Sequence, residues 1–167
     1  EKRLFLAFKN INLFLKSNYV SKIEILFVDD GSKDLGNKMV RDFFRKIKKK
    51  NCSFKLIKIK KNSGKGYALK KGCLIAKNDW ILTTDLDFSV PLDYIIYWFK
   101  NKLITDEFNI YFGSRALKKS RVKSAKHRLF VGKIFRYLIF FFLRITIKDT
   151  QCGFKLYRNF VAKKIFK

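Results

Sequence analysis

Trp80-Ile81-Leu82-Thr83-Thr84-Asp85-Leu86-Asp87-Phe88-Ser89-Val90-Pro91 opens as an apolar run and closes on two carboxylates. The run reads as a short buried strand. Side chains alternate between the faces of a strand, so an Asp-x-Asp at its end aims both acids into one small volume. With 39 Lys+Arg against 13 Asp+Glu in the chain, two acids with no base between them stand out. Hard cations such as Mg²⁺ are held by one or two carboxylates together with substrate phosphates. A plainer reading also fits: a polar turn after a core strand, with Asp87 or Ser89 capping the next helix.

The flanking segments repeat the pattern. Ile23-Glu24-Ile25-Leu26-Phe27-Val28 is a β-rich run that stops at Asp29-Asp30-Gly31-Ser32-Lys33-Asp34. A strand expected over 54–59 leads to Asn62-Ser63-Gly64-Lys65-Gly66, and a further strand over 109–113 leads to Gly113-Ser114-Arg115. Helices are expected over 3–16 (apolar at Leu4, Phe8, Ile11 and Leu15), 37–49, 67–76 and 91–102, the last with Pro91 at its start. Strands alternating with helices through short loops predict an α/β fold: a mostly parallel sheet flanked by helices. Ligands in such sheets bind at the carboxyl ends of the strands. Here the acids, the glycine loop and the Gly-Ser-Arg segment all fall at those ends.

Bulk properties narrow the function. A chain of 167 residues, 48% hydrophobic and with 19 Phe, is expected to fold as one domain spanning 1–167. Its net charge of +26 favours polyanionic partners: nucleic acid, anionic lipid or phosphorylated substrates. Cys52, Cys73 and Cys152 have neither zinc-site nor disulfide spacing, which points to a reducing compartment. No signal peptide is visible, and no uncharged apolar run reaches the roughly 18 residues of a membrane span. The chain begins at Glu1 and is expected to be truncated at its N-terminus and at its C-terminus. Lys118 to Arg128 forms a basic stretch, and the apolar segment 129–147 carries Lys133, Arg136 and Arg144 close to one helical face. That suits a membrane-interface helix, and equally a core helix with a solvated stripe.

Several chemistries fall away. Gly64-Lys65-Gly66 lacks the Ser or Thr after Lys65 of a nucleotide-triphosphate loop, and Ile59 stands where its first Gly belongs. No G-x-G-x-x-G occurs at the first turn. His127, the sole histidine, lies between Lys126 and Arg128 and reads as a surface residue rather than a hydrolase base. A basic nucleic-acid-binding module gives no role to Asp29, Asp30, Asp85 and Asp87.

Val28-Asp29-Asp30-Gly31-Ser32, Lys61-Asn62-Ser63-Gly64-Lys65-Gly66, Thr84-Asp85-Leu86-Asp87, Gly113-Ser114-Arg115 and Asp149-Thr150-Gln151-Cys152-Gly153-Phe154-Lys155 run in the order seen in family 2 glycosyltransferases. The last block resembles the dolichyl-phosphate β-glucosyltransferase branch, related to dolichyl-phosphate mannose synthases. The resemblance covers nearly the whole chain. It implies a GT-A (Rossmann-like) fold whose first strand, with a Pro-x-Tyr-Asn-Glu motif, is missing here. It also implies inverting hexose transfer, with glucose from UDP-glucose favoured and mannosyl or other hexosyl transfer the alternative. The acceptor would be a polyprenyl (dolichyl or undecaprenyl) phosphate. The setting would be the cytoplasmic face of a membrane, endoplasmic reticulum or plasma membrane, with Mg²⁺ or Mn²⁺ as cofactor and no nucleic acid partner.

By position, the resemblance gives Asp29, Asp30, Lys65 and Asp85 to the donor. It gives Asp87, and secondarily Asp85, to the metal. Arg115 and Arg128 would hold donor or acceptor phosphates, and Gln151 with Lys155 would line the acceptor side. Asp85, Asp87, Arg115 and Arg128 form the implied catalytic set. One departure is Leu86, where relatives usually have Ala between the two acids.

Overall fold

The computed structural model describes residues 2–17, 19, 21–47, 50–114, 132, 137–142, 144, 147 and 149–167. Arg115, Arg128, His127 and the basic stretch around them lie outside the described residues. Most of segment 129–147 does too, although 137–142 is helical.

The elements in chain order, besides the helical turns at 137–142, are α1 (Lys2–Lys16), β1 (Ile23–Asp30), α2 (Gly36–Lys46), β2 (Cys52–Ile59), α3 (Lys65–Ile75), β3 (Trp80–Thr83), α4 (Asp93–Lys100), β4 (Ile110–Phe112), β5 (Lys155–Arg158) and α5 (Asn159–Ile165). The β1, β2, β3 and β4 segments and the four helices before residue 103 lie where their periodicity predicts. Leu4, Ile11 and Leu15 of α1 are buried as expected, joined by Ala7, while Phe5, Leu6 and Leu13 face out.

The strands form an α/β arrangement in two groups. β1 and β2 pair in parallel, with Asp29 beside Lys58 and Asp30 beside Ile59. The second group has the order β3-β5-β4. β5, which the sequence reading did not anticipate, runs antiparallel to both neighbours, placing Leu156 beside Leu82 and Tyr111. β3 and β4 are therefore parallel to each other and present their carboxyl ends on one side. The parallel pair and the flanking helices match the expected α/β class, to which β5 adds an antiparallel return between β3 and β4. Because β5 returns through the middle, the Asp149–Phe154 segment that leads into it lies at the carboxyl ends of β3 and β4.

Helices cover both faces. A cluster containing Ile11, Leu15, Phe43, Ile95, Phe154 and Leu156 joins α1, α2 and α4 to one face, with Ile25 and Phe27 of β1 packed against it. A second cluster, Cys73, Ala76, Ile81, Tyr157 and Ala162, joins α3 and α5 to the other, with Leu26 of β1 at its margin. Alternation along β5 explains the division: Leu156 enters one layer and Tyr157 the other. Phe154 and Leu156 are the largest fully buried side chains. Phe154 meets the Trp98 ring edge-on at 5.4 Å between centroids, a favoured aromatic geometry. The core thus anchors the segment that carries Gln151 and Gly153.

Candidate functional site

At the end of β1 the backbone turns at Gly31, whose φ is +78°. Glycine is needed there twice over. The left-handed conformation disfavours other residues, and an added Cβ would stand 2.7 Å from the Asn62 backbone nitrogen. The β1 terminus consequently lies directly against the loop that follows β2.

Two acids bind that junction. Asp29 Oδ1 accepts from the Ser32 backbone N–H at 3.0 Å, and its Oδ2 accepts from Asn37 Nδ2 at 2.6 Å. Burial alone would push the Asp29 carboxyl up, but hydrogen bonds from Ser32 and Asn37, with the Lys58 charge, outweigh it and hold it below the ordinary value. Asp30 reaches across the junction. Its Oδ1 accepts from the Ser63 N–H at 2.9 Å and its Oδ2 from the Gly64 N–H at 2.7 Å. This clamp fixes the turn at Gly64 (φ +88°) from which α3 starts.

Lys65, the first residue of α3, forms an ion pair with Asp85 beyond the end of β3. The two side chains are 63% and 37% exposed, so the pair contributes little to stability and serves to set geometry. A continuous set of contacts therefore runs from Asp30 through Ser63 and Gly64 to Lys65 and Asp85. It joins the ends of β1, β2 and β3 and links Asp30, Lys65 and Asp85; Asp29 engages Ser32 and Asn37 instead.

The strand-alternation premise for Asp85 and Asp87 does not hold. β3 stops at Thr83, and 85–88 is a turn in which the Phe88 N–H donates to Asp85 O at 3.0 Å. Asp87 Oδ1 accepts from the Ser89 N–H at 3.0 Å, so Asp87 caps its own turn and not α4. Phe88 sits at φ +46°, a strained position for a bulky residue, and packs against the core cluster that includes Ile95 and Phe154. That anchored strain leaves Leu86 and Asp87 exposed at the tip.

The Asp149–Phe154 segment closes the side beside β3 and β4. The Thr83 hydroxyl lies 3.2 Å from Gly153 O and 3.3 Å from Lys155 O, and Gly113 N–H donates to Phe154 O at 2.8 Å. Gln151 is exposed. Lys155 turns back on its own loop, donating from Nζ to Thr150 O at 3.1 Å with its ammonium 5.6 Å from the Phe112 ring centre. Thr83, Asn37 and Phe88 are site-building residues to which the sequence reading gave no role, and Gly153 figured there only as a member of the Asp149–Lys155 block. Only Thr83 carried a signal, as a hydroxyl inside an apolar strand.

Among the described residues no three metal-ligating side chains cluster. The donor set still fits a hard cation in part, because Asp87 and Asp85 offer carboxylate oxygens at the rim and substrate phosphates would supply the rest. No helix among the described residues is long and apolar enough to cross a membrane.

Residues 9–166 match the profile of Glycosyl transferase family 2. The chain is 33% identical over 166 residues to a dolichyl-phosphate β-glucosyltransferase of Dictyostelium discoideum, covering 96% of this chain and 50% of that one. It is 32% identical over 182 residues to the Saccharomyces cerevisiae protein of the same name, covering 98% and 53%. The Homo sapiens protein of that name is 32% identical over 149 residues, covering 86% and 45%. The chain spans about half the length of the curated relatives it matches.

Proposed function

The chain belongs to glycosyl transferase family 2, and on that premise we propose that it transfers glucose from UDP-glucose to a polyprenyl phosphate, dolichyl phosphate in the first instance, with inversion at the anomeric carbon. The observation that carries this reading is the contact series Asp30–Ser63/Gly64–Lys65–Asp85, which gathers acids and a lysine at three adjoining strand ends. The relatives' names supply the sugar and the lipid.

Asp29 and Asp30 hold the nucleoside end of the donor, and Lys65 lies against the diphosphate. Asp85 steadies the ribose or the sugar, with Lys65 setting its direction. Asp87, with help from Asp85, would hold a divalent cation, Mg²⁺ or Mn²⁺, which when bound would supply Lewis acidity toward the diphosphate. Gln151 and Lys155 face the acceptor, and Arg115 and Arg128, both outside the described residues, serve phosphate oxygens through their guanidinium forks.

The acceptor explains the economy of the site. A phosphate monoester has its second pKa near 6, so at neutral pH it is largely a dianion and attacks without a strong protein base. Its oxygen forms the new bond to the anomeric carbon as the bond to the nucleoside diphosphate breaks. What the protein must do is hold two polyanions in line, and the +26 charge serves that end.

The same reading places the chain at the cytoplasmic face of a membrane, the endoplasmic reticulum in a eukaryote. Tyr137, Phe140, Phe141 and Phe142 are all more than half exposed on the short helix 137–142, and aromatic side chains next to bases favour a lipid headgroup layer.

The test is transfer by the full-length chain from labelled UDP-glucose to dolichyl phosphate in liposomes. Lipid-linked glucose is expected. Transfer from GDP-mannose alone would replace the glucosyl reading with a mannosyl one, and no transfer from either would remove the enzymatic reading.

A further inference from the structure

We propose that Gly153 is a positioning residue: the side chain it lacks leaves the space in which the Asp85 carboxylate lies, and so sets where Asp85 meets the donor. This rests on the reading of Asp85 as a donor-site residue.

Glycine at 153 is not demanded by the backbone, since the positive-φ glycines are Gly31 and Gly64. It is demanded by space. A Cβ built there would stand 2.7 Å from Asp85 Cγ and 2.9 Å from Oδ1, closer than real Cβ contacts come. The backbone at 153 has no room to retreat. Thr83 engages the Gly153 and Lys155 carbonyls, Gly113 N–H holds Phe154 O, and the flanking Cys152 and Phe154 are buried. The same carboxylate pairs with Lys65 through Oδ1. Asp85 is thus held by Lys65 and bounded by the Gly153 backbone.

A methyl group at 153 therefore moves the carboxylate and not the fold, because Asp85 is the flexible, partly exposed member of the contact. The consequence falls on donor geometry. Small misplacements of a positioning group are expensive in catalysis, up to about a hundredfold for 1 Å.

The experiment uses Gly153→Ala, Asp85→Ala and the double variant in the full-length chain, with thermal unfolding and UDP-glucose kinetics in Mn²⁺ as readouts. Gly153→Ala should lower Tm by about 2–4 °C through an off-rotamer Asp85. The same change should leave Tm unaltered once Asp85 is Ala, because the obstructing group is gone. Its KM for UDP-glucose should rise about tenfold or more, whereas a purely structural lesion would lower the active fraction, hence kcat, at constant KM. An equal Tm loss in both backgrounds, or an unchanged KM, overturns the proposal. If the Tm coupling holds but even the unaltered protein ignores UDP-glucose, the steric role of Gly153 stands and the donor reading fails.

Discussion

Replacing Asp30 tests whether the carboxyl end of β1 is a clamp before it is a ligand-binding group. Asp30 receives two backbone N–H bonds, from Ser63 at 2.9 Å and Gly64 at 2.7 Å. Bonds to a charged acceptor contribute roughly 1.5–3 kcal/mol each when sheltered, but these are open to water, so about 1 kcal/mol each is the appropriate scale. Asp30→Ala removes both, about 2 kcal/mol in all. Asp30→Asn keeps one acceptor oxygen and loses about half of that. At tenfold per 1.4 kcal/mol, local opening of the 61–64 loop becomes about 30-fold more frequent in the Ala variant and about fivefold in the Asn variant. Amide hydrogen exchange of Ser63 and Gly64, measured without any donor present, reads this directly. Protection should fall in the order parent, Asn, Ala. Unchanged protection in Asp30→Ala, with only nucleotide affinity lost, would refute the clamp.

Three other perturbations probe the frame around the site. Gly31→Ala combines a left-handed backbone with a Cβ 2.7 Å from the Asn62 nitrogen, and should cost more than about 2 kcal/mol, seen as a fall in the urea midpoint. Phe154→Ala empties one of the largest buried positions and removes the Trp98 contact; a loss of about 3–5 kcal/mol is expected, with Phe154→Leu much milder in the same denaturation assay. Burial pushes the Cys73 thiol up to about 11 and raises Tyr157 as well, the latter also through Cys73. Folded groups with raised pKa values hold their protons more tightly than unfolded ones, so their contribution is whole below the unfolded pKa and lost as pH rises through the folded one. Thermal stability should decline between roughly pH 8.5 and about 11, and Cys73→Ala should flatten that decline. Asp29 has the opposite sign, since its depressed pKa gives stability that disappears as pH falls through the folded value.

The sequence was most legible where periodicity runs long. Leu4, Ile11 and Leu15 define the buried stripe of α1 over fifteen residues, and the strand ends at Asp30, Ile59 and Thr83 lie close to where turn chemistry begins. Lys155–Arg158 escaped notice because four residues are too few to show an alternation, and its antiparallel course depends on partners more than 40 residues away. Asp85 and Asp87 stand out in the sequence, but the geometric reason for grouping them does not hold. Alternation requires a strand, and the strand had already ended at Thr83, so the turn at Phe88 sets where the two acids point. The occupation of Asp30 by Ser63 and Gly64 spans 33 and 34 residues and has no local signature. Gly153 shows the same limit, for its importance lies in what Asp85 occupies.

Donor binding bears most directly on the whole account. Calorimetric titration of the full-length chain with UDP-glucose, with and without Mn²⁺, should give saturable binding that Mn²⁺ strengthens and Asp87→Ala weakens, with GDP-mannose bound less well. Binding indifferent to both Mn²⁺ and Asp87, or none at all, would contradict it.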